Sequence, residues 1–157
     1  MFVYSVRAST VKFFAVIVLT VAVLVGAITL GNSRAVAASA SATIKFSGIK
    51  TNEDRIAFIS QFGPKVSGEP SETVKFTVPE NFDKVIAGYN EIQKSQGLNL
   101  EKYKNKKVTR YTYEIDKWAD YEGTVCVNLI IYRSTVIAAD ISSKDPTGFV
   151  EPLIKFN

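Results

Sequence analysis

Residues 107–141 read KVTRYTYEIDKWADYEGTVCVNLIIYRSTVIAADI, and this run decides the fold. Three β-prone segments follow one another with almost no chain between them. Residues 107–116 alternate, which sets Tyr111, Tyr113 and Ile115 on one face. Residues 125–132 are apolar on both faces, as a central strand is. Residues 135–141 follow after only Arg133 and Ser134, so the link is a tight hairpin. Residues 118–123 make the turn between the first two segments. Links this short enforce antiparallel neighbours, because a parallel pair needs a long crossover.

Working upstream, residues 98–106 (LNLEKYKNK) read as a polar connection. Before it, Phe82, Val85, Ile86, Tyr89 and Ile92 form the apolar stripe of a helix opened by Pro79-Glu80 and ended by Gly97. Val74, Phe76 and Val78 alternate with Thr73, Lys75 and Thr77, which predicts a strand. Thr51-Asn52-Glu53-Asp54 gives a helix start with two acids at the positive end of the helix dipole. Ile56, Phe58, Ile59 and Phe62 follow, and Gly63-Pro64 stops that helix. Residues 43–48 alternate around Ile44 and Phe46 and predict a short first strand. The terminal DPTGFVEPLIKFN reads as a tail lying back on the domain. The expected fold class is α+β. Two helices pack on one face of a mostly antiparallel four- or five-stranded sheet, preceded by one transmembrane or signal helix.

That leading helix is read from FFAVIVLTVAVLVGAITL, residues 13–30, which carries no charge and no proline. Eighteen apolar residues are just enough to span a bilayer. Arg7 and Lys12 precede the segment and Arg34 alone follows closely, which favours the N-terminus inside and the domain outside. The chain thus divides into a cytoplasmic tail (1–12), a transmembrane or signal segment (13–31), an Ala/Ser-rich tether (32–42) and an extracytoplasmic domain (43–157). Two fates stand open. The segment is an uncleaved anchor of a single-pass membrane protein, or a signal peptide cut between 37 and 42, where AVAASASA offers several A-x-A sites. Its length favours the anchor.

Composition excludes several functions. The net charge of +4 includes Arg7, Lys12 and Arg34; the remaining 16 basic residues face all 15 acids, so the domain itself carries +1. A basic pI of about 9.1 therefore reports the leader and not a nucleic-acid surface. There is no histidine, which excludes Ser-His and Cys-His nucleophile pairs and His-ligated zinc or haem. One cysteine, Cys126, cannot form an internal disulfide. No cofactor, metal site or catalytic residue is expected.

Five residues are singled out for binding. Lys104, Lys106, Lys107 and Arg110 belong to a basic, aromatic run with Lys102, Tyr103 and Tyr111, suited to an anionic partner: lipid headgroups, a wall polymer or an acidic protein surface. The same lysines also read as a solvated loop guarding an edge strand, the commoner reason for such a run. Trp118, with Tyr121, is either an exposed contact or a cap on the core. The acids Glu53-Asp54 are explained by the helix start, and Asp116, Asp120 and Glu122 lack ligand spacing. Asp140 interrupts an apolar strand, so it is edge-exposed, paired with Arg110 or Arg133, or functional.

The runs TNEDRIAFISQFGPKV (51–66) and KYKNKKVTRYTYEI (102–115), set before an apolar strand, resemble a family of small domains of unknown function from Gram-positive bacteria. The resemblance covers residues 44–141. Pro64 departs from it, since a bulky aromatic is expected after the helix-ending glycine. It implies one N-terminal membrane segment ahead of an extracytoplasmic domain and supplies no activity. The expected function is a membrane-tethered, non-catalytic binding or interaction module. Its partners are the membrane through 13–31 and a cell-envelope protein or anionic wall polymer, with no nucleic acid. The alternatives are a histidine-free envelope enzyme using carboxylates, or a surface for anionic polymer or lipid headgroups.

Overall fold

A computed structural model describes residues 44–66, 68–115, 117–118, 121–145 and 147–154. The tail, apolar segment and tether read from the sequence lie outside these residues, as do Asp116 and Asp120. Among the described residues no helix is long and apolar enough to cross a membrane.

Helix α1 (Asn52–Ser60) starts at Thr51, which accepts from the Asp54 amide at 3.2 Å while Asp54 accepts from the Thr51 amide at 2.9 Å. Strand β1 (Glu72–Thr77) follows, then helix α2 (Lys84–Ser95). α2 begins later than Pro79-Glu80 suggests, because the Asp83 carboxylate caps it by accepting from Val85 and Ile86. A 3-10 helix (Leu100–Tyr103) leads into the meander β2 (Lys107–Ile115), β3 (Val125–Tyr132) and β4 (Thr135–Ser143), and the chain ends in β5 (Val150–Pro152). The expected tail is thus in part a strand, with its proline on the sheet edge where no ladder amide is missed.

The five strands lie in chain order, β1-β2-β3-β4-β5, every neighbour antiparallel. The β3–β4 turn is the expected two-residue hairpin. Arg133 and Ser134 both take positive φ, 46° and 67°, as the twist-compatible type I′ turn demands.

Placing both helices on one face was wrong. Val127, Leu129 and Ile131 pack with Phe58 and Ile59 of α1. Ile130, one residue out of step, packs with Tyr89 of α2, Leu100, Val108 and Ile137. Alternate strand residues point to opposite faces, so the helices sandwich the sheet. Two buried sheet faces need two covering layers. The polar connection was also misread: Leu98 and Leu100 are buried, one in each layer.

Within the predicted first strand, 43–48, the described residues 44–48 form no strand. The segment makes one isolated bridge, Ser47 to Thr135, and the Phe46 carbonyl accepts from Val136 at 2.8 Å. It is the first of three covers along the outer edge of β4. The second is a glutamine pair from the end of α2. Gln93 accepts from the Ala139 amide at 2.9 Å, and Gln96 donates to the Ala139 carbonyl at 2.6 Å and accepts from Ile154 at 3.0 Å. The third is β5, paired with Asp140–Ser142. Two side-chain amides here replace a missing stretch of strand.

Gln96→Leu keeps the volume of this side chain but strands the Ala139 carbonyl and the Ile154 amide, both buried. We expect a loss of about 2–6 kcal/mol in urea unfolding, at roughly 1–3 kcal/mol per orphaned group.

Candidate functional site

The sheet has two chemically different ends. At one lie the end of β1, the start of β2, the β3–β4 turn and the segment that bridges to Thr135. The 3-10 helix is fixed there from below. Buried Leu100 donates its amide to the Asn90 side chain at 2.7 Å. The chain then turns back through Asn105, whose amide donates to Val78 at 2.8 Å, while Val78 donates to Lys106 at 3.0 Å. Asn105 takes φ 62°, a left-handed conformation that asparagine tolerates well. On this rigid turn Lys102, Lys104, Lys106 and Lys107 are all exposed.

Aromatic rings lie under the cations. Lys104 sits 5.1 Å from the Phe82 ring centre, Arg133 sits 5.2 Å from that of Tyr132, and Tyr132 meets Tyr103 edge-on at 5.6 Å. Among the described residues, no ion pair engages Lys102, Lys104, Lys106, Lys107 or Arg133. The acids of this end are partly occupied. Asp83 caps α2, and Glu101 lies 3.8 Å from Lys94. Glu80 is exposed.

The structure brings Lys104, Lys106 and Lys107 together and adds Arg133, which the sequence reading did not include. The missed signal was topological: in a meander the start of β2 and the β3–β4 turn share one end. The other two singled-out residues lie elsewhere. Arg110 is three positions further along β2, partly buried and ion-paired with Glu72. Trp118 lies beyond the far end of β2, partly buried against the α1-side core, so it caps that core. The far end carries Glu69, Glu72, Glu114, Glu122 and Asp145 against Lys117 and Lys144. Glu114 is paired with Lys144, and Asp145 accepts from Tyr121.

Across the α2 face runs a second polar feature, a row fixed by strand register. Thr112 pairs with Asn128, and Asn128 with Asp140. The Thr112 hydroxyl donates to the Asn128 side chain at 2.8 Å. Asn128 donates to Asp140 at 2.8 Å and to the Ser142 hydroxyl at 2.9 Å. The Tyr89 hydroxyl of α2 donates to the other Asp140 oxygen at 2.7 Å. Asp140 is 4% exposed and lies on an internal strand, so it does not sit on the sheet edge. Burial pushes its carboxyl above the usual 3.8, against the lowering effect of its hydrogen bonds and of the Arg110 charge. Burial, and then the Asp140 charge, raise the Tyr89 phenol well above 10.0. On the same face Cys126 is buried and its thiol is pushed up to about 11, so it behaves as a small apolar side chain. Arg55, a buried cation in α1, is held on the opposite face by the Tyr113 hydroxyl at 2.7 Å and by stacking 3.9 Å from the Tyr111 ring centre.

A family model described as a domain of unknown function, DUF4830, matches residues 58–141, from within α1 to within β4 and over more than half of the chain. No curated protein and no solved structure matches the chain.

A raised carboxyl pKa has a defined stability signature. Between 3.8 and the raised folded-state value the native protein holds the extra proton, so stability falls as pH rises through that window. Asp140→Asn keeps the shape and cannot ionise. Its stability relative to the parent chain, from urea midpoints across that window, should increase as pH rises.

Proposed function

We propose that this chain, which belongs to the DUF4830 family of domains of unknown function, is a membrane-tethered, extracytoplasmic binding module that holds an anionic partner at its basic end and catalyses no reaction. The observation that carries this reading is the placement of the lysines. Lysines at the start of an edge strand are explained by protection against pairing. β2 is not an edge strand; β1 lies outside it. The lysines also stand on a turn fixed by three hydrogen bonds, Leu100 to Asn90, Asn105 to Val78 and Val78 to Lys106, with aromatic rings beneath two of the cations. Edge protection does not account for that arrangement, whereas recognition of a polyanion does. The apolar stretch 13–30, with more positive charge before it than after, supports the tether and the outward orientation. Cleavage between 37 and 42 would release the same module.

The catalytic alternative draws less support. Both Asp140 oxygens accept hydrogen bonds, and the side chain is shut between α2 and the sheet. In register with it, three strands away, stands Glu72, about 14 Å off at ~4.8 Å per strand. Paired carboxylates for glycoside hydrolysis sit roughly 5–9.5 Å apart.

Binding of the purified full chain in detergent to soluble polyphosphate should weaken steeply between about 50 and 300 mM salt. Replacing Lys104, Lys106 and Lys107 together by Glu should weaken it by about a hundredfold or more, at roughly 1 kcal/mol per lysine. Trp118→Ala, at the far end, should leave it unchanged. Turnover of an envelope glycan that Asp140→Asn abolishes would overturn the reading.

A further inference from the structure

We infer that the anionic partner is the lipid headgroup surface of the tethering membrane, so the domain stands with its β3–β4 turn toward the bilayer and its acidic end away. This rests on the proposed tether and names what the basic end meets. Two independent features coincide at that end. The first is charge: Lys102, Lys104, Lys106, Lys107 and Arg133 are exposed, and no described ion pair engages them. The second is the rings of Phe82, Tyr103 and Tyr132, partly exposed among the cations, since aromatic side chains favour the headgroup level. The chain itself enters away from that end: its bridge to β4 is antiparallel, with Phe46 accepting from Val136 at 2.8 Å and Ile49 donating to Ser134 at 2.9 Å, so it runs from mid-sheet toward the turn.

The tether alone cannot orient the domain. Residues 32–43 reach at most about 40 Å, longer than the sheet, so either end is free to meet the bilayer. Charge decides between them. Glu69, Glu72, Glu114, Glu122 and Asp145 gather at the far end and are repelled by an anionic surface. A soluble polyanion would bind the same lysines, but only the lipid surface is kept beside them by the proposed tether, at high effective concentration.

The test uses the full chain reconstituted into vesicles. Cys126 is buried with its thiol raised to about 11, so an introduced cysteine is the one that labels. A fluorophore is placed at Asn81→Cys beside the basic turn or at Thr124→Cys at the far end, both exposed positions. The vesicles hold headgroup nitroxide quenchers and are made of phosphatidylcholine alone or with phosphatidylglycerol. With phosphatidylglycerol, the label at 81 should be quenched about threefold more than the label at 124. The difference should vanish without phosphatidylglycerol, at about 0.5 M salt, and in the chain with Lys104, Lys106 and Lys107 changed to Glu, each lysine near the surface being worth about fivefold in partitioning. Equal quenching of the two labels, in a chain that floats with both kinds of vesicle, overturns the docking and leaves the tether standing. A chain that does not float with neutral vesicles overturns the tether itself. A response of the 81 label to soluble polyphosphate, with none to phosphatidylglycerol, overturns lipid in favour of a free polymer.

Discussion

β3 and β4 bury side chains on both faces of the sheet, and the other elements answer to that constraint. Val127 and Leu129 need one apolar layer, and Ile130 and Ile137 need another on the opposite side. α1 supplies the first and α2 the second. Because both faces are covered, the polar residues that fall on these strands are enclosed as well. Asn128 and Asp140 must then find partners within the protein, and register delivers them: Thr112, Asn128 and Asp140 lie side by side, with Tyr89 descending from the helix above. The buried row is thus a consequence of two-sided burial and fixes where α2 can sit.

The sequence states much of this locally. Period-two alternation marks β1 and β2, the two-residue link marks the β3–β4 hairpin, and Thr51 with Asp54 marks the start of α1. These are signals between near neighbours. What was not legible depends on distant parts of the chain. Apolarity on both faces of residues 125–132 already implied two layers, but nothing local says which helix takes which face. Residues 44–48 alternate like a strand but find only one short stretch of β4 edge to pair with, the rest being taken by Gln93, Gln96 and β5. Asp83 outcompetes Pro79-Glu80 as a helix start because its carboxylate reaches two amides.

The basic site shows the same division. Its lysines are adjacent in sequence and could be read directly. Arg133 joins them only through the meander, and Arg110, close in sequence, is drawn away by Glu72. A domain charge of +1 gave no hint of a charged surface, because net charge does not record position. The fold gathers Lys102, Lys104, Lys106, Lys107 and Arg133 at one end and many of the acids at the other. Asp140 illustrates a further limit: its surroundings depend on Tyr89, 51 positions away.

The bridge between residues 44–49 and β4 also sets how the molecule bears load. Any pull on the chain before Ile44 reaches the fold through the Phe46–Val136 and Ile49–Ser134 hydrogen bonds and the packing of Ile44, Phe46 and Ile49. Behind them stands the long ladder of β3 and β4, joined along eight paired positions. Tension therefore peels a short peripheral strip before it strains the central strands. Under load that strip would yield first, freeing a few more residues of chain while the sandwich and its basic end stay folded.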